Sequence, residues 1–242
     1  MPTRVLLLSS LASIAALQFP STVPLRPSSL PAAQRCTPIT ALAPSGIDGL
    51  PLTEQAEVVA GIFAALGIGA FGTARVCEAI GDALPVSVTS TATKIGGALL
   101  GAVFMAAGFS HFALPEAYYA IFPPQGTWGL WYLPGSAEFY VAATGLAEGL
   151  GGLGMFLGGV GDLTGLDGGG RARPLRQLCA SSLFVLMVAV FPVNIYQYTH
   201  GAIMVGAGPD GPLDLSYHYV RLALQIGLLV ALELLSKEEG RA

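Results

Sequence analysis

Long apolar stretches, separated by short polar connections, make up most of the chain after residue 45. Five of them are long enough to cross a membrane, and they cover residues 54–80, 92–114, 136–160, 174–198 and 215–235. A helix of about 20 mostly apolar residues spans the hydrocarbon layer and satisfies its own backbone hydrogen bonds there. The pattern therefore predicts an all-α fold, a polytopic transmembrane helix bundle. The first stretch is also compatible with an amphipathic arm that lies on the bundle.

Composition supports the membrane class and disfavours several functions. Hydrophobic residues make up 53% of the chain and charged residues only 11%, whereas about 25% of a soluble domain is charged. A net charge of −4 without a basic block predicts no nucleic-acid partner. The three cysteines form no CxxC pair, and His200 and His218 have no fixed ligand spacing with Asp210 or Asp214. No metal site is therefore predicted.

Residues 1–45 have the character of a targeting presequence. They contain arginines but no acidic residue, and the first acidic residue is Asp48. Residues 5–17 form a short apolar core, as in a signal peptide, and residues 21–40 are rich in Ser, Thr, Pro and Arg, as in a transit peptide. This order resembles the two-part presequence of algae with complex plastids, which implies a plastid membrane, either thylakoid or envelope. The alternative is a plain secretory signal or a peptide directing the chain to the mitochondrial inner membrane.

Charges and aromatic residues are divided unequally between the two ends of the predicted bundle. We name the end with the loop 161–176 side A and the opposite end side B. The basic residues of side A are Arg75, Lys94, Arg171, Arg173, Arg176, Lys237 and Arg241, whereas side B has only Arg221 in the mature chain. The positive-inside rule makes side A cytoplasmic or stromal. Every tyrosine, tryptophan and histidine falls on side B, which indicates either an aromatic belt or a working surface.

Five polar residues inside the apolar stretches form the candidate site. Arg221 and Gln225 are four residues apart and share one face of the fifth helix. Glu148 lies near the middle of the third stretch, and Asn194 and His111 lie closer to side B. A lone charge at mid-bilayer costs at least about 2.5–3.5 kcal/mol, so we expect one buried cluster in which Glu148 pairs with Arg221. The cluster is either a polar clasp that fixes helix register or a proton-relay or quinone-headgroup site.

Four segments occur in an order that resembles the DoxX-like membrane proteins, which are compact four-helix membrane bundles. The segments are "AGFSHFALPEAYYAIFPP", "TGLAEGLGGLGMFL", "FPVNIYQY" and "YVRLALQ". The resemblance covers about residues 92–235 and falls on His111, Pro115, Gly145, Glu148, Pro192, Asn194, Arg221 and Gln225. It implies a DoxX-like four-helix domain in residues 91–242. The presequence in residues 1–45 and an extra N-terminal transmembrane or membrane-associated helix in residues 46–90 lie outside the resemblance.

The family includes the membrane subunit of a thiosulfate:quinone oxidoreductase, so the resemblance implies a membrane subunit of quinone-linked redox chemistry. The chain has no haem, flavin or iron–sulfur signature, and the chemistry would need a diffusible quinone and a soluble or membrane redox partner. This hypothesis predicts a side-B mouth lined by Tyr196, Tyr219 and His111. The alternative is a non-catalytic scaffold or assembly factor of a plastid membrane, which predicts a closed cluster. The glycine-rich helix faces also allow a homodimer.

Overall fold

The computed structural model describes residues 42–166, 170–206 and 211–237, and most of the predicted presequence lies outside these ranges. All regular secondary structure in the described residues is helical. The helices are α1 (Leu52–Asp82), α2 (Val86–Ala113), α3 (Pro115–Ala120), α4 (Ala137–Thr164), α5 (Ala172–His200) and α6 (Leu215–Ser236). Two short 3-10 turns, Ile47–Gly49 and Thr127–Gly129, lie on side B.

Five of these helices, α1, α2, α4, α5 and α6, are long and apolar enough to cross a membrane. The predictions of a helical bundle and of an integral membrane protein are thereby confirmed. The largest boundary difference is the start of α2, which lies six residues before the predicted position at residue 92. The added turns are polar, and the hydroxyls of Thr91 and Thr93 are satisfied within the helix, since each donates to the carbonyl four residues earlier at 2.8 Å.

The long helices pack in a defined order. Helix α2 packs on α4, α4 on α5, and α5 on α6, while α2 also touches α6. These four helices thus surround one core, and α1 lies outside them against α6. The core is apolar, with Leu100, Met155, Leu183 and Leu232 almost completely buried. In this arrangement α4 and α6 are not neighbours and lie diagonally across the core, which matters for the candidate site.

Helix α1 follows α6 from side B to side A. Ile62 and Leu222 meet near side B, a Cβ at Gly69 would lie 2.5 Å from the Ile226 side chain, and Glu78 forms an ion pair with Lys237 at side A. Its outer face exposes large apolar side chains, namely Ile68, Phe71, Val76 and Ile80. A helix that runs parallel to a spanning neighbour with an apolar outer face is typical of a lipid-facing span. The arrangement therefore favours a spanning helix over an arm lying on the bundle.

Glycines let α2 and α4 approach until their backbones touch. A Cβ at Gly101 would lie 2.4 Å from the backbone nitrogen of Phe156, and a Cβ at Gly108 would lie 2.4 Å from that of Gly149. From the opposite side, a Cβ at Gly152 would lie 2.6 Å from the Met105 nitrogen. Real side chains essentially never fit such distances, so this contact depends on small residues, as in other closely packed membrane helices.

Arg176 lies inside the bundle near side A, although its sequence context suggested an exposed loop charge. The residue is fully buried, and its guanidinium donates to the Leu235 carbonyl at 3.0 Å and to an Asp162 carboxylate oxygen at 3.5 Å. Gly97 and Gly158 make the room, because a Cβ on either would lie within 2.8 Å of the Arg176 side chain. Arg176 thus links α5 to α4 and α6. The other basic residues predicted on side A still outnumber those on side B.

The end of the predicted presequence belongs to the folded part of the chain. Ala43 is buried, and its backbone N–H donates to an Asp48 carboxylate oxygen at 2.9 Å. The Ser45 hydroxyl donates to the Thr199 carbonyl at the side-B end of α5, at 3.4 Å. Residues 43 and 45, which the predicted presequence includes, thus contact the bundle, and the boundary at residue 45 stays a prediction. Small residues such as Ala, Pro and Ser suit a transit peptide and a packed loop equally, so composition alone did not separate the two.

The contact between α2 and α4 gives a prediction with a matched control. We expect Gly108→Ala to destabilise the protein by about 1–3 kcal/mol, since the new methyl group meets backbone that has no rotamer to change. Gly149→Ala, on the facing helix, should be neutral or stabilising, because a Cβ there meets nothing within 4 Å and alanine favours helix. Thermal unfolding of both variants in the same detergent measures the difference, and equal melting temperatures would contradict the close backbone contact.

Candidate functional site

The structure places the five candidate polar residues in two groups. His111 and Glu148 lie together between α2 and α4. Asn194, Arg221 and Gln225 lie on α5 and α6, on the other side of the bundle. Among the described residues, no ion pair joins Glu148 to Arg221. The expected single cluster is corrected to two sites, because the helices that bear the two charges, α4 and α6, are not neighbours in the bundle.

The first group is the His111–Glu148 pair. Both residues are less than a tenth exposed, and His111 Nδ1 lies 3.8 Å from Glu148 Oε2. The same nitrogen lies 3.0 Å from the Ala107 carbonyl, which is a normal hydrogen-bond distance, and that carbonyl accepts the Nδ1 proton. The contact with Glu148 is therefore electrostatic. Among the described residues, the Glu148 carboxyl group has no hydrogen-bond donor.

Local packing explains why this pair forms where it does. Gly145 of α4 packs directly against His111 of α2, since a Cβ at Gly145 would be 2.6 Å from the His111 Cβ. Glu148 follows one helical turn later, so the close contact of α2 and α4 brings the carboxyl group level with the imidazole. Tyr118, from the short helix α3, stacks on the imidazole with ring centroids 3.8 Å apart. Its hydroxyl also hydrogen-bonds the Ser110 hydroxyl at 2.5 Å.

The position of α3 makes Tyr118 part of the first group. This residue was not among the predicted site residues. Helix α2 ends at Ala113 and the chain turns at Leu114 and Pro115, so α3 folds back over the end of α2. Burial raises the pKa of the Tyr118 phenol above its ordinary value, while the Ser110 hydrogen bond opposes that shift. The phenol is therefore neutral at physiological pH and acts as a hydrogen-bonding group.

The second group lies between α5 and α6. The Arg221 guanidinium donates to the Gln197 side-chain oxygen and stands 5.7 Å from the centre of the Tyr217 ring. Gln225 donates to the Met187 carbonyl at 3.4 Å. Gln197 was not among the predicted residues, although it is almost fully buried near the side-B end of an apolar helix. A buried glutamine at such a position is the signal that would have indicated a partner for Arg221.

A cleft opens beside Arg221, between α1, α5 and α6. Its volume is about 110 Å³. Its polar lining comes from Asn194, Tyr198, His218, Tyr219 and Arg221, and its apolar lining comes from Ile62, Phe191, Ile195 and Leu222. Among the described residues, the Asn194 amide has no hydrogen-bond partner. The cleft therefore presents two hydrogen-bond donors, an amide and a guanidinium, against largely apolar walls.

Of the three residues predicted to line a side-B mouth, only Tyr219 lies at the cleft. Its ring is 62% exposed, at the outer edge. Tyr196 packs instead between His200 and Trp128 on the other face of α5, with centroid distances of 4.9 and 6.3 Å. His111 is occupied by the first group. The predicted mouth is corrected to the Asn194–Arg221 cleft, because Tyr196 and Tyr198 are two residues apart and face different sides of their helix.

Much of the aromatic crowding on side B is structural. Trp128 is 2% exposed, has a positive φ of 56°, and donates from Nε1 to the Thr199 hydroxyl at 2.9 Å. A left-handed backbone is unfavourable for a bulky residue, and burial of the ring with its hydrogen bond offsets that cost. Trp131 and Phe122 continue this aromatic layer. The layer closes the side-B end of the bundle next to α5, and the cleft lies beside it.

No group of three metal-binding side chains occurs among the residues that the structure describes. His200 hydrogen-bonds Thr199 at 2.8 Å, and His218 packs edge-on against Tyr198. The hydrogen bonds that the Asp214 carboxylate accepts from Ser216 hold its pKa below the ordinary value, and they cap the start of α6. Asp210 lies outside the described residues.

The chain matches no model of a known protein family, no curated protein and no solved structure. The resemblance to the DoxX-like family therefore stays a prediction. The chemistry assigned to the two sites rests on their own geometry.

The division into two groups is tested by double-mutant cycles. We expect a coupling energy of about 0.5–3 kcal/mol between Arg221→Leu and Gln197→Leu, because these residues hydrogen-bond directly. Arg221→Leu and Glu148→Gln should be additive within about 0.5 kcal/mol, since these residues lie on helices that are not neighbours and share no partner. The free energy of unfolding in one detergent measures both cycles. A strong coupling of Glu148 with Arg221 would restore the single cluster.

Proposed function

We propose that this integral membrane protein binds the headgroup of a diffusible quinone in the Asn194–Arg221 cleft, as a membrane subunit of a quinone-linked redox system. The observation that carries the proposal is the pair of donors in an apolar cleft at the side-B end of the bundle. If the protein were a scaffold and its polar residues only held the helices together, it would need neither the cleft nor an Asn194 amide without a hydrogen-bond partner.

The chemistry of the cleft suits a quinone ring. Quinones present two carbonyl oxygens, which are hydrogen-bond acceptors, at opposite ends of a flat apolar ring. Arg221 is held in place by Gln197 and has further N–H groups to donate, while the Asn194 amide supplies a second donor. A guanidinium also stabilises the negative charge that develops on an oxygen when a quinone is reduced. Phe191 and Leu222 provide the apolar walls for the ring.

The size of the cleft limits what enters it. A site that encloses a drug-sized ligand has about 300–1,000 Å³, so about 110 Å³ suits a single ring and leaves a long tail outside. The tail would then lie in the lipid beside α1 and α6, where exposed apolar side chains such as Val220 occur. This geometry favours a molecule that arrives from the bilayer over one that arrives from water.

The remaining parts of the proposal concern the surroundings of the protein. Electrons would come from a redox partner, because the sequence offers no redox cofactor of its own. The DoxX-like resemblance supports quinone chemistry, and the presequence supports a plastid membrane with side A toward the stroma.

The location is tested by fusing residues 1–41 to a fluorescent protein and expressing the fusion in an alga with complex plastids. Fluorescence should enter the plastid. A matched fusion in which residues 5–17 are deleted should remain in the cytosol, because a two-part presequence needs its signal core first. Fluorescence in mitochondria or in the secretory pathway would contradict the plastid assignment.

Quinone binding is tested with a short-tailed benzoquinone and the purified protein in lipid nanodiscs. We expect saturable binding that Arg221→Leu and Asn194→Leu each weaken about 10–100-fold, the effect of losing a hydrogen bond worth about 1.5–3 kcal/mol. Glu148→Gln serves as the control and should bind as wild type, since it lies in the other group.

Two results would contradict the proposal. Absence of saturable binding by the folded wild type would remove the quinone and favour the scaffold or assembly factor. Equal weakening by Glu148→Gln and Arg221→Leu would show that the effect does not arise in the cleft. Melting temperatures measured on the same samples separate lost binding from lost folding.

A further inference from the structure

We propose that Glu148 is an intramembrane proton-binding group beside His111, and that its carboxyl group holds one exchangeable proton. This site is separate from the Asn194–Arg221 cleft and does not depend on quinone binding. The two proposals rest on different helices and fail independently.

The geometry places an acidic group in apolar surroundings without a hydrogen-bond donor. Glu148 is 7% exposed, and its closest ionisable neighbour is His111 at 3.8 Å. Because His111 gives its Nδ1 proton to the Ala107 carbonyl, it makes no hydrogen bond with the carboxyl group. A carboxylate in this position would leave its oxygens unsatisfied, whereas the neutral acid carries its own proton.

The charge balance favours a proton that stays on Glu148. An isolated charge at this depth costs several kcal/mol, so a neutral acid beside a neutral imidazole is the arrangement without an ionised group. The His111 nitrogen that faces the carboxyl group, Nδ1, already carries the proton that it donates to the Ala107 carbonyl, so it does not accept the Glu148 proton. Loss of the Glu148 proton to water would leave a carboxylate next to the neutral His111 imidazole, and the apolar surroundings make that charged state unfavourable.

No other charged group faces the pair. From α3, the neutral phenol of Tyr118 stacks on the imidazole. From α5, the stretch between Cys179 and Asn194 contains no ionisable residue, and Cys179 itself lies two turns nearer side A, against Gly154. Helix α6 with Arg221 packs against α5 and not against the part of α4 that bears Glu148.

Hydroxyl groups lie beside the pair at the side-B end of the bundle. Ser110 is next to His111 in the chain, and its hydroxyl donates to Ala107 at 2.6 Å and contacts the Tyr118 hydroxyl. Tyr118 is half-buried on α3. Toward side A, by contrast, the glycine-packed contact of α2 and α4 closes the space around Glu148.

If the pair only held α2 and α4 together, neither residue would need to change its protonation state. The test is therefore to measure the protonation of Glu148. The infrared spectrum of the protein in nanodiscs separates the cases, because a neutral carboxylic acid has a carbonyl band apart from that of a carboxylate. We expect such a band in wild type at pH 7, its loss in Glu148→Gln, and its shift in heavy water, which shows exchange.

His111→Gln tests where the proton lies. Because His111 makes no hydrogen bond with the carboxyl group, the pH at which half the band is lost should change by less than about one unit. Gly149→Ala, next to Glu148 on the same helix and in open space, is the control and should leave this pH unchanged. A fall of more than about one unit in His111→Gln would show that the imidazole shares the proton, and it would overturn the assignment of the proton to Glu148.

A chemical probe gives an independent reading. Dicyclohexylcarbodiimide reacts with neutral carboxylic acids in apolar surroundings, and mass spectrometry locates its adduct. We expect labelling of Glu148 and none of Glu138, which is exposed on the same helix near side B. Absence of the infrared band in the folded wild type at every pH would overturn the proposal, and so would a band that heavy water does not shift. Labelling of Glu138 as extensive as that of Glu148 would overturn it as well.

Discussion

The backbone contact between α2 and α4 is the constraint on which the rest of the structure depends. In lipid, helices gain nothing from hiding apolar side chains from water, so close van der Waals packing has to hold them together. Glycines at Gly101, Gly108 and Gly152 permit that packing. The same contact sets the level of His111 against Gly145, and so the level of Glu148 one turn later. Stability and the position of the carboxyl group thus have one cause.

Buried polar groups in this bundle follow two different rules. Arg176 near side A and Arg221 near side B each have a nearby acceptor, Leu235 and Gln197 respectively, as a permanent cation in apolar surroundings requires. Glu148 has no donor of this kind. A guanidinium stays charged in a protein, whereas a carboxyl group adapts by taking a proton. The chemical difference between the two groups therefore accounts for the difference in their surroundings.

The sequence predicted the number of long helices and, with the start of α2 as the exception, their limits within a few residues. It predicted the polar residues of the two sites except Ser110, Tyr118, Gln197, Tyr198 and His218. These features follow from hydropathy and from the cost of charge in a membrane, which are local properties of the chain. It did not predict which charges meet. Pairing Glu148 with Arg221 assumed that opposite charges at similar depth find each other, but depth does not specify which helices are neighbours. Arg176 was misplaced for a related reason, since only the tertiary structure brings Gly97 and Gly158 around it.

The apolar core gives the two sites their independence. Helices α4 and α6 are not neighbours in the bundle, and Leu183 and Met187 of α5 are among the side chains that fill the core. Charge interactions between the Glu148 side and the Arg221 side would have to cross this core. Bringing the two charges together would require placing them in the core in place of apolar side chains. Because Arg221 and Glu148 are kept apart in apolar surroundings, each can have its own function. Arg221 provides a fixed positive charge at the cleft, and Glu148 provides an exchangeable proton between α2 and α4.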